Sequence, residues 1–532
     1  MTDVEATPRS SPPAPGLLRS SALVGMLTMI SRVLGLVRDI VIAAFFGAGT
    51  AADAFFVAFK IPNFLRRLFA EGAFSQAFVP VLADYREAGS IAATKALVDR
   101  VAGMLGGTLL LITLVTVMAA PLVTAVFAPG FINQPEKFEL TTDLIRITFP
   151  YLLLISMTGF CGAILNSYGR FAVPALTPVF LNISLILAAL VASAWFEEPV
   201  FALAWGVFLA GVIQLLFQFP SLYRLDLVPR PVWDPRDEGV RRILTLMIPA
   251  LFGVSVSQIN LLLDTVLASF LPTGSVSWLY YSDRLAELPL GVFGIAVATV
   301  ILPSLSAHRA AAREEHFNIT LDWALRTVLL IGVPSAAALM LLAEPILITL
   351  FQNGALTPQD VQMASLSLQA YSLGIVAFML VKILAPGFYA RKDTKTPVKI
   401  GIIAMAANML MNLAFVFPLM MLWNVGHVGL ALATSLAAYL NAGLLLRGLL
   451  RQHIFRFQPG WAIYSLRLLL ATGVMCAVLL VFAPDSDIWL QWSWQQRLWQ
   501  MGAVCGLGVA VYVLVHLLTG TRPRHLRAPI SA

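Results

Sequence analysis

Residues 21–47 read SALVGMLTMISRVLGLVRDIVIAAFFG, an apolar run that nevertheless contains Arg32, Arg38 and Asp39. A helix needs about 20 consecutive apolar residues to cross the hydrocarbon core of a bilayer, and this run meets that length. A charge facing lipid at that depth costs roughly 2.5–3.5 kcal/mol. The stretch therefore predicts a membrane-spanning helix whose charged side chains face one another or a watery cavity.

The next apolar segment has the same character. Residues 53–67 read DAFFVAFKIPNFLRR, and Glu71 follows shortly afterwards. Five polar side chains are spaced three, four or seven residues apart, so they share one helical face: Asp53, Lys60, Asn63, Arg67 and Glu71. A similar stripe recurs later in the chain: Ser277, Tyr281, Arg284, Glu287 and Gly291. Each stripe predicts a helix that lines a polar cavity.

Composition places the whole chain in the membrane. Of its 532 residues, 59% are hydrophobic and 12% are charged, and the mean hydropathy is +0.84. These values are typical of an all-α polytopic membrane protein. We predict about 14 transmembrane helices, near residues 21–47, 50–83, 100–127, 141–166, 171–195, 200–220, 243–270, 275–305, 323–350, 362–389, 397–421, 427–447, 462–483 and 497–518.

The hydropathy pattern repeats at an offset of roughly 220 residues, which predicts two parallel six-helix lobes of the kind found in transporters. The predicted domains are a disordered tail at 1–16, an N-terminal lobe at 17–220, a linker at 221–242, a C-terminal lobe at 243–450, and a helix pair with a tail at 451–532. The three cysteines lie in predicted spans without metal-ligand spacing and are interpreted as structural.

The distribution of Lys and Arg predicts the orientation. They concentrate in the segments on the N-terminal side of the membrane, whereas the opposite loops hold only Lys137 and Arg497. The positive-inside rule therefore places both termini in the cytoplasm. The basic loops also account for the net charge of +7, so that no nucleic-acid partner is expected.

Arginine is in excess on the predicted cavity helices. Guanidinium groups bind phosphate oxygens bidentately and stay ionised when partly buried. The excess therefore favours a ligand that carries phosphates, and the residues concerned are Arg32, Arg38, Arg66, Arg67 and Arg284. The alternative is internal ion pairing that holds helices together, for example between Asp53 and Lys60 or between Arg284 and Glu287.

A second group of polar residues lies deep in other predicted spans. Asp264 is in the seventh helix, Asn408 and Asn412 are four residues apart in the eleventh, and Thr434 is in the twelfth. One carboxylate with several neutral oxygens could form a Na⁺ site that drives transport. A purely structural hydrogen-bond network is the alternative, since such side chains often bond across membrane helices.

Enzymatic signatures are absent from the sequence, which has no Walker A loop, HExxH or GxSxG motif. We therefore expect a protein that is not an enzyme and that has no catalytic residue or organic cofactor. Transport would be driven by Na⁺ or by the membrane potential.

Several motifs together resemble the MurJ (MviN) family. They are residues 31–35 (SRVLG), 47–49 (GAG), 53–55 (DAF), 62–67 (PNFLRR), 69–80 (FAEGAFSQAFVP), 275–278 (SVSW), 283–285 (DRL) and 395–399 (KTPVK). This family comprises bacterial lipid II flippases of the multidrug/oligosaccharidyl-lipid/polysaccharide exporter superfamily. The motifs fall in both halves of the chain, and the family's fourteen-helix plan fits its whole length.

The resemblance implies a specific function in the bacterial inner membrane. The protein would move lipid II, the undecaprenyl-pyrophosphate-linked peptidoglycan precursor, from the cytoplasmic to the periplasmic leaflet by alternating access. Proteins of cell-wall synthesis are candidate partners. The last two helices would form a groove for the lipid tail.

The resemblance also implies roles for individual residues. Arginines of the cavity would bind the pyrophosphate, with Asp53 as their acidic partner; the complete set is Arg32, Arg38, Arg66, Arg284, Asp53, Ser31, Ser277 and Glu287. A flippase for another lipid-linked oligosaccharide shares the pyrophosphate and remains an alternative. A cation-coupled drug exporter of the same superfamily is a further alternative, although carboxylates would suit its substrates better than arginines.

Overall fold

The computed structural model describes residues 15–67, 74–291, 295–311 and 313–522. Within these ranges only the backbone is described at 15–22, 249–250, 252–258, 261 and 295–300. Most of the predicted N-terminal tail and Glu71 lie outside the described residues. The described chain is helical and contains no strand, as the sequence predicts.

The helices follow one another with short connections. In the first half they are α1 (Pro15–Phe46), α2 (Thr50–Arg66), α3 (Ser75–Glu87), α4 (Ile91–Met118), α5 (Ala120–Phe127), α6 (Pro135–Thr148), α7 (Tyr151–Ser167), α8 (Ala172–Leu190), α9 (Val200–Tyr223) and α10 (Glu238–Ser269). In the second half they are α11 (Ser275–Pro289), α12 (Ile295–Ala310), α13 (Glu314–Leu341), α14 (Ala343–Phe351), α15 (Pro358–Tyr389), α16 (Lys395–Trp423), α17 (Gly426–Arg451), α18 (Trp461–Phe482), α19 (Ser486–Gln491) and α20 (Trp494–Leu518).

Ten segments among the described residues are long and apolar enough to cross a membrane. They coincide with ten of the predicted spans. The other four predicted spans correspond to α1, to α2 with α3, to α10, and to α11 with α12. These are the first and second helices of each predicted lobe, which carry the charged stripes.

Several predicted single spans are each formed by two helices, which corrects the sequence-based boundaries. The predicted span 100–127 is divided between α4 and α5, and the span 323–350 between α13 and α14. Proline explains both divisions, because its ring clashes with the carbonyl four residues earlier. Pro121 and Pro345 follow the two breaks closely.

The chain forms two compact units. The first comprises Met1–Arg38, Pro62–Met118 and Arg146–Leu251, and the second comprises Asp39–Ile61, Ala119–Ile145 and Phe252–Ala532. The core of the first unit includes Phe78, Leu82 and Phe160. The main core of the second unit includes Phe317 and Phe388. The lobe boundaries proposed from the hydropathy repeat stay a prediction.

A smaller cluster in the second unit holds the C-terminal helices. Met475 and Leu479 of α18 and Val504 of α20 pack with Leu342, which lies between α13 and α14. The C-terminal helix pair is thereby joined to the helices that precede it within the same unit.

Candidate functional site

The first polar cluster surrounds Arg284, which α11 carries in the second unit. The Arg284 cluster consists of Asp39, Tyr280, Arg284 and Glu287. The guanidinium of Arg284 lies 3.3 Å from Glu287 Oε2 and 4.0 Å from Asp39 Oδ2, and 5.0 Å from the centre of the Tyr280 ring. The Tyr280 hydroxyl donates a hydrogen bond to Asp39 Oδ1 at 3.0 Å. The Arg284 guanidinium is therefore surrounded by two carboxylates and the ring of one tyrosine.

The guanidinium nevertheless retains donor capacity. Its Nε is buried and makes no hydrogen bond with the described residues, because 4.0 Å to Asp39 exceeds hydrogen-bonding distance. The pair with Glu287 is partly exposed, and exposed ion pairs contribute little. An anion that entered here would compete with Glu287 for the guanidinium, while Asp39 stays beside it.

The Arg284 cluster includes two residues that the sequence-based site omitted. Asp39 is buried, and Tyr280 also stacks on Phe56 at 3.9 Å between ring centres. The signal for Asp39 was its charge inside the apolar run at 21–47. The pairing of Arg284 with Glu287 was foreseen only as the ion-pair alternative.

The second polar cluster surrounds Asp53, near the start of α2. The Asp53 cluster consists of Asp53, Lys137, Gly274 and Ser277, all in the second unit. Lys137 Nζ donates to Asp53 Oδ2 at 2.8 Å. The backbone N–H groups of Gly274 and Ser277 donate to the two carboxylate oxygens at 2.8 and 3.0 Å, and the Ser277 hydroxyl donates at 2.7 Å. Asp53 thus caps the N-terminus of α11, where helix N–H groups favour an anion.

This arrangement corrects two expectations about Asp53. The carboxylate pairs with Lys137, not with an arginine and not with Lys60. Ser277, expected beside the arginines, is fully buried against Asp53. Sequence reasoning missed Lys137, although it is one of only two basic residues in the predicted outer loops.

Further hydrogen bonds in the second unit join early and late parts of the chain near the Asp53 cluster. The Tyr281 hydroxyl donates to the Gly47 carbonyl at 2.7 Å, and the Ala355 N–H donates to the Ala44 carbonyl at 2.8 Å. The Gly130 N–H donates to Ser269 Oγ at 3.0 Å. Close packing accompanies them, since a Cβ at Gly354 would meet the Ala44 carbonyl oxygen at 2.3 Å. The segments at this end of the second unit are therefore closely packed against one another.

The first unit positions another expected arginine. Arg38 is buried and donates to Asn182 Oδ1 at 3.0 Å. Asn182, on α8, also donates to the carbonyl of Ser31 at 2.9 Å, so that one amide orients Arg38 and holds α1. Asn182 is a site residue that the sequence reasoning missed, because a single Asn in an apolar helix gives no distinct signal.

The remaining expected arginines lie in the same unit. Arg32 is half-buried, and within the described chain it makes no hydrogen bond or ion pair. Arg66 is half-buried at the C-terminal end of α2. The Arg32 guanidinium, which has no acidic partner among the described residues, is available to bind an anion.

The candidate cation site lies in the second unit between α10 and α16. Asn412 Nδ2 donates to Asp264 Oδ1 at 2.8 Å, and Asn408 Nδ2 donates to Asn260 Oδ1 at 2.7 Å. The Oδ1 atoms of Asn408 and Asn412 are buried and accept no hydrogen bond from the described residues. Buried acceptors are normally satisfied, so these two oxygens could bind a hard cation. The Asp264 carboxylate already interacts electrostatically with the Lys60 ammonium. Thr434 is half-buried on α17 and makes no hydrogen bond to these side chains.

Comparisons with known proteins agree on one family. The family model described as lipid II flippase MurJ matches residues 42–498. A Vibrio cholerae protein described as a probable lipid II flippase MurJ is 51% identical, over 96% of this chain and 98% of its own length. A Burkholderia cenocepacia protein, described as lipid II flippase MurJ, is 43% identical over 88% of this chain and 91% of its own.

Solved structures give the same result. A lipid II flippase MurJ in an inward closed conformation is similar with a TM-score of 0.78 and 27% identity, covering 93% of this chain and 98% of its own. An inward-facing multidrug resistance transporter of the MATE family, from the MOP superfamily, is similar with a TM-score of 0.64 and 16% identity. The latter covers 82% of this chain and 98% of its own, and at this identity it supports the fold alone.

Proposed function

Because this chain belongs to the MurJ family of lipid II flippases, we propose that it moves lipid II between membrane leaflets by alternating access, with arginines that bind the pyrophosphate. The observation that carries the proposal is the Arg284 cluster. The Nε of Arg284 makes no hydrogen bond with the described residues, so an anionic ligand could accept a hydrogen bond from it. The pyrophosphate of lipid II is such a ligand.

The proposed binding residues are Arg32, Arg38, Arg66 and Arg284. Arg32 has no acidic partner among the described residues, and Arg38 is bonded to a neutral amide. Among the described residues, the positive charge of Arg32 is therefore not cancelled before substrate binds. Glu287 and Asp39 hold Arg284 until the phosphate displaces the more exposed of the two carboxylates, Glu287, which limits unpaired charge in the empty protein.

The direction of transport follows from the proposed orientation, in which both termini are cytoplasmic. This orientation rests on the positive-inside rule. It places the Asp53 cluster toward the periplasm, where its hydrogen bonds would close the protein on that side. Opening of the Asp53 cluster would then release the head group outward, as alternating access requires.

Ion coupling is a second part of the proposal. Asp264, Asn408 and Asn412 would hold Na⁺ through one carboxylate and two amide oxygens, and Thr434 would add a hydroxyl after a small shift of α17. The bound Na⁺ would be a ligand partner for the Oδ1 atoms of Asn408 and Asn412, which accept no hydrogen bond from the described residues.

The test is the amount of lipid II in the outer leaflet of cells depleted of this protein, probed with an externally added enzyme that cleaves only exposed head groups. Wild type should restore exposure, and Arg284→Ala should not, at equal protein level. Arg309→Ala is the matched control, because Arg309 pairs with Glu314 among exposed residues and should restore exposure fully.

Two results would contradict the proposal. Unchanged exposure after depletion, in cells without a second flippase, would mean that this chain moves another lipid-linked oligosaccharide or a drug. Full restoration by Arg284→Ala would leave the flippase assignment intact but remove the pyrophosphate role of Arg284.

A further inference from the structure

We propose that Lys137 is the counter-ion that stays with Asp53 when the Asp53 cluster opens, so that Lys137 favours opening whereas Ser277 favours closure. This inference rests on the alternating-access function proposed above. It assigns a positioning residue that neither the motifs nor the family resemblance identified.

The hydrogen bonds of Asp53 come from two different parts of the chain. Gly274 and Ser277 lie at the start of α11, in the C-terminal half, and supply three of the four donors. Lys137 lies on α6, in the same predicted lobe as Asp53, and supplies the fourth. Opening would separate Asp53 from α11 but would not require it to leave Lys137.

The surroundings of Lys137 are consistent with a permanent pairing. Its side chain is 2% exposed and that of Asp53 is 1% exposed. The ammonium also lies over the ring of Phe131 at 4.3 Å, a cation–π contact within the same part of the chain. Its contact with the C-terminal half is the longer hydrogen bond to Thr273 Oγ1, at 3.4 Å.

Electrostatics gives the expected direction for each variant. A carboxylate that leaves three donors at once must keep a partner, because an unpaired charge in a poorly solvated site is strongly unfavourable. Without Lys137 the closed state still offers Asp53 the N-terminus of α11, whereas in the open state only water would remain to solvate the carboxylate. Loss of Lys137 should therefore favour the closed state, and loss of the Ser277 hydroxyl should favour the open state.

The experiment measures this balance directly by pulsed electron spin resonance on the full-length protein in lipid nanodiscs. Nitroxide labels would be attached at Asn133→Cys and Gln359→Cys, both exposed, after replacement of Cys161, Cys476 and Cys505 by Ala. The fraction of molecules with the longer distance between the two labels reports opening at the Asp53 cluster. Since one net hydrogen bond changes an equilibrium constant by roughly fivefold, Ser277→Ala should raise the open-to-closed ratio by about that factor.

Lys137→Met should lower the same ratio by at least as much. Lys137→Arg keeps the charge and should leave it near the wild-type value, and Asp53→Asn with Lys137→Met should cancel most of the effect. If Lys137→Met instead raises the open fraction, as Ser277→Ala does, Lys137 is merely another closing contact and the inference is wrong.

Two further measurements distinguish a variant that does not fold from a protein that does not open at this end. If Lys137→Met does not fold, the ratio in Lys137→Gln, which keeps a donor but not the charge, decides the question in the same way. If wild type shows a single distance that added lipid II leaves unchanged, alternating access at this end of the protein fails, whatever Lys137 does.

Discussion

The Arg284 guanidinium illustrates why residue chemistry matters more than charge alone at this site. It contacts one partly exposed carboxylate and one tyrosine ring, and it keeps a buried donor free. A planar fork of donors can bind two phosphate oxygens at once, whereas an ammonium acts as a point charge. The geometry around Arg284 therefore favours arginine specifically.

Arg284→Lys should consequently lose most transport. We expect a decrease of about tenfold or more, since the lost bidentate contact is worth more than 1 kcal/mol. The measurement is the rate of head-group exposure at equal protein level. Activity equal to wild type would show that positive charge alone is sufficient.

Asn182 permits a second test, because it bonds both Arg38 and the Ser31 carbonyl. Asn182→Asp should keep a hydrogen-bond acceptor for Arg38 but neutralise its charge. Transport should fall severalfold. The midpoint of thermal unfolding should fall less than in Asn182→Ala, because the new ion pair with Arg38 offsets part of the lost hydrogen bond to the Ser31 carbonyl. Asn182→Ala is the comparison: it should lower the unfolding midpoint, because removing a buried partner costs about 1–3 kcal/mol. Unimpaired transport in Asn182→Asp would exclude a role for the Arg38 charge.

At the scale of elements, the side chain of Arg497 forms hydrogen bonds to the C-terminal ends of two other helices. It lies on α20 and donates to the carbonyls of Trp489 and Leu490 at the end of α19. It also donates to the carbonyls of Ile348 and Gln352 at the end of α14. The last carbonyls of a helix lack intrahelical partners, so a buried arginine satisfies two helix ends at once.

Arg497→Met should therefore destabilise the C-terminal helices. Hydrogen bonds from a charged group contribute about 1.5–3 kcal/mol each, so the loss should exceed that of a typical surface substitution. The measurement is thermal unfolding in detergent, with Arg451→Met, at an exposed position at the C-terminal end of α17, as the control. Equal midpoints for both variants would contradict this assignment.

At the scale of the whole molecule, the proposed Na⁺ site links ion binding to stability. A ligand that binds only the folded protein raises its stability, and the gain grows with the logarithm of ligand concentration once the site is mostly filled. Wild type should unfold at a higher temperature in NaCl than in KCl of equal ionic strength, and Asp264→Asn should abolish that difference. Retention of a full Na⁺ effect in Asp264→Asn, on unfolding and on transport, would remove Asp264 from the site.

Hydropathy and residue chemistry by themselves determined the all-helical membrane class and most helix positions, whereas the arginines of the candidate site stay a prediction. These properties depend on local composition and on helical spacing, which a sequence displays directly. The helix breaks after Met118 and Leu341 were missed, although Pro121 and Pro345 signal them locally.

The tertiary structure alone decided which polar groups are partners. Lys137 and Asp53 are 84 residues apart, and Arg38 and Asn182 are 144 residues apart. Each of these side chains has several chemically suitable partners in the sequence. Packing selects one of them, because a buried charge or amide must bond to whatever group the neighbouring helices bring within reach.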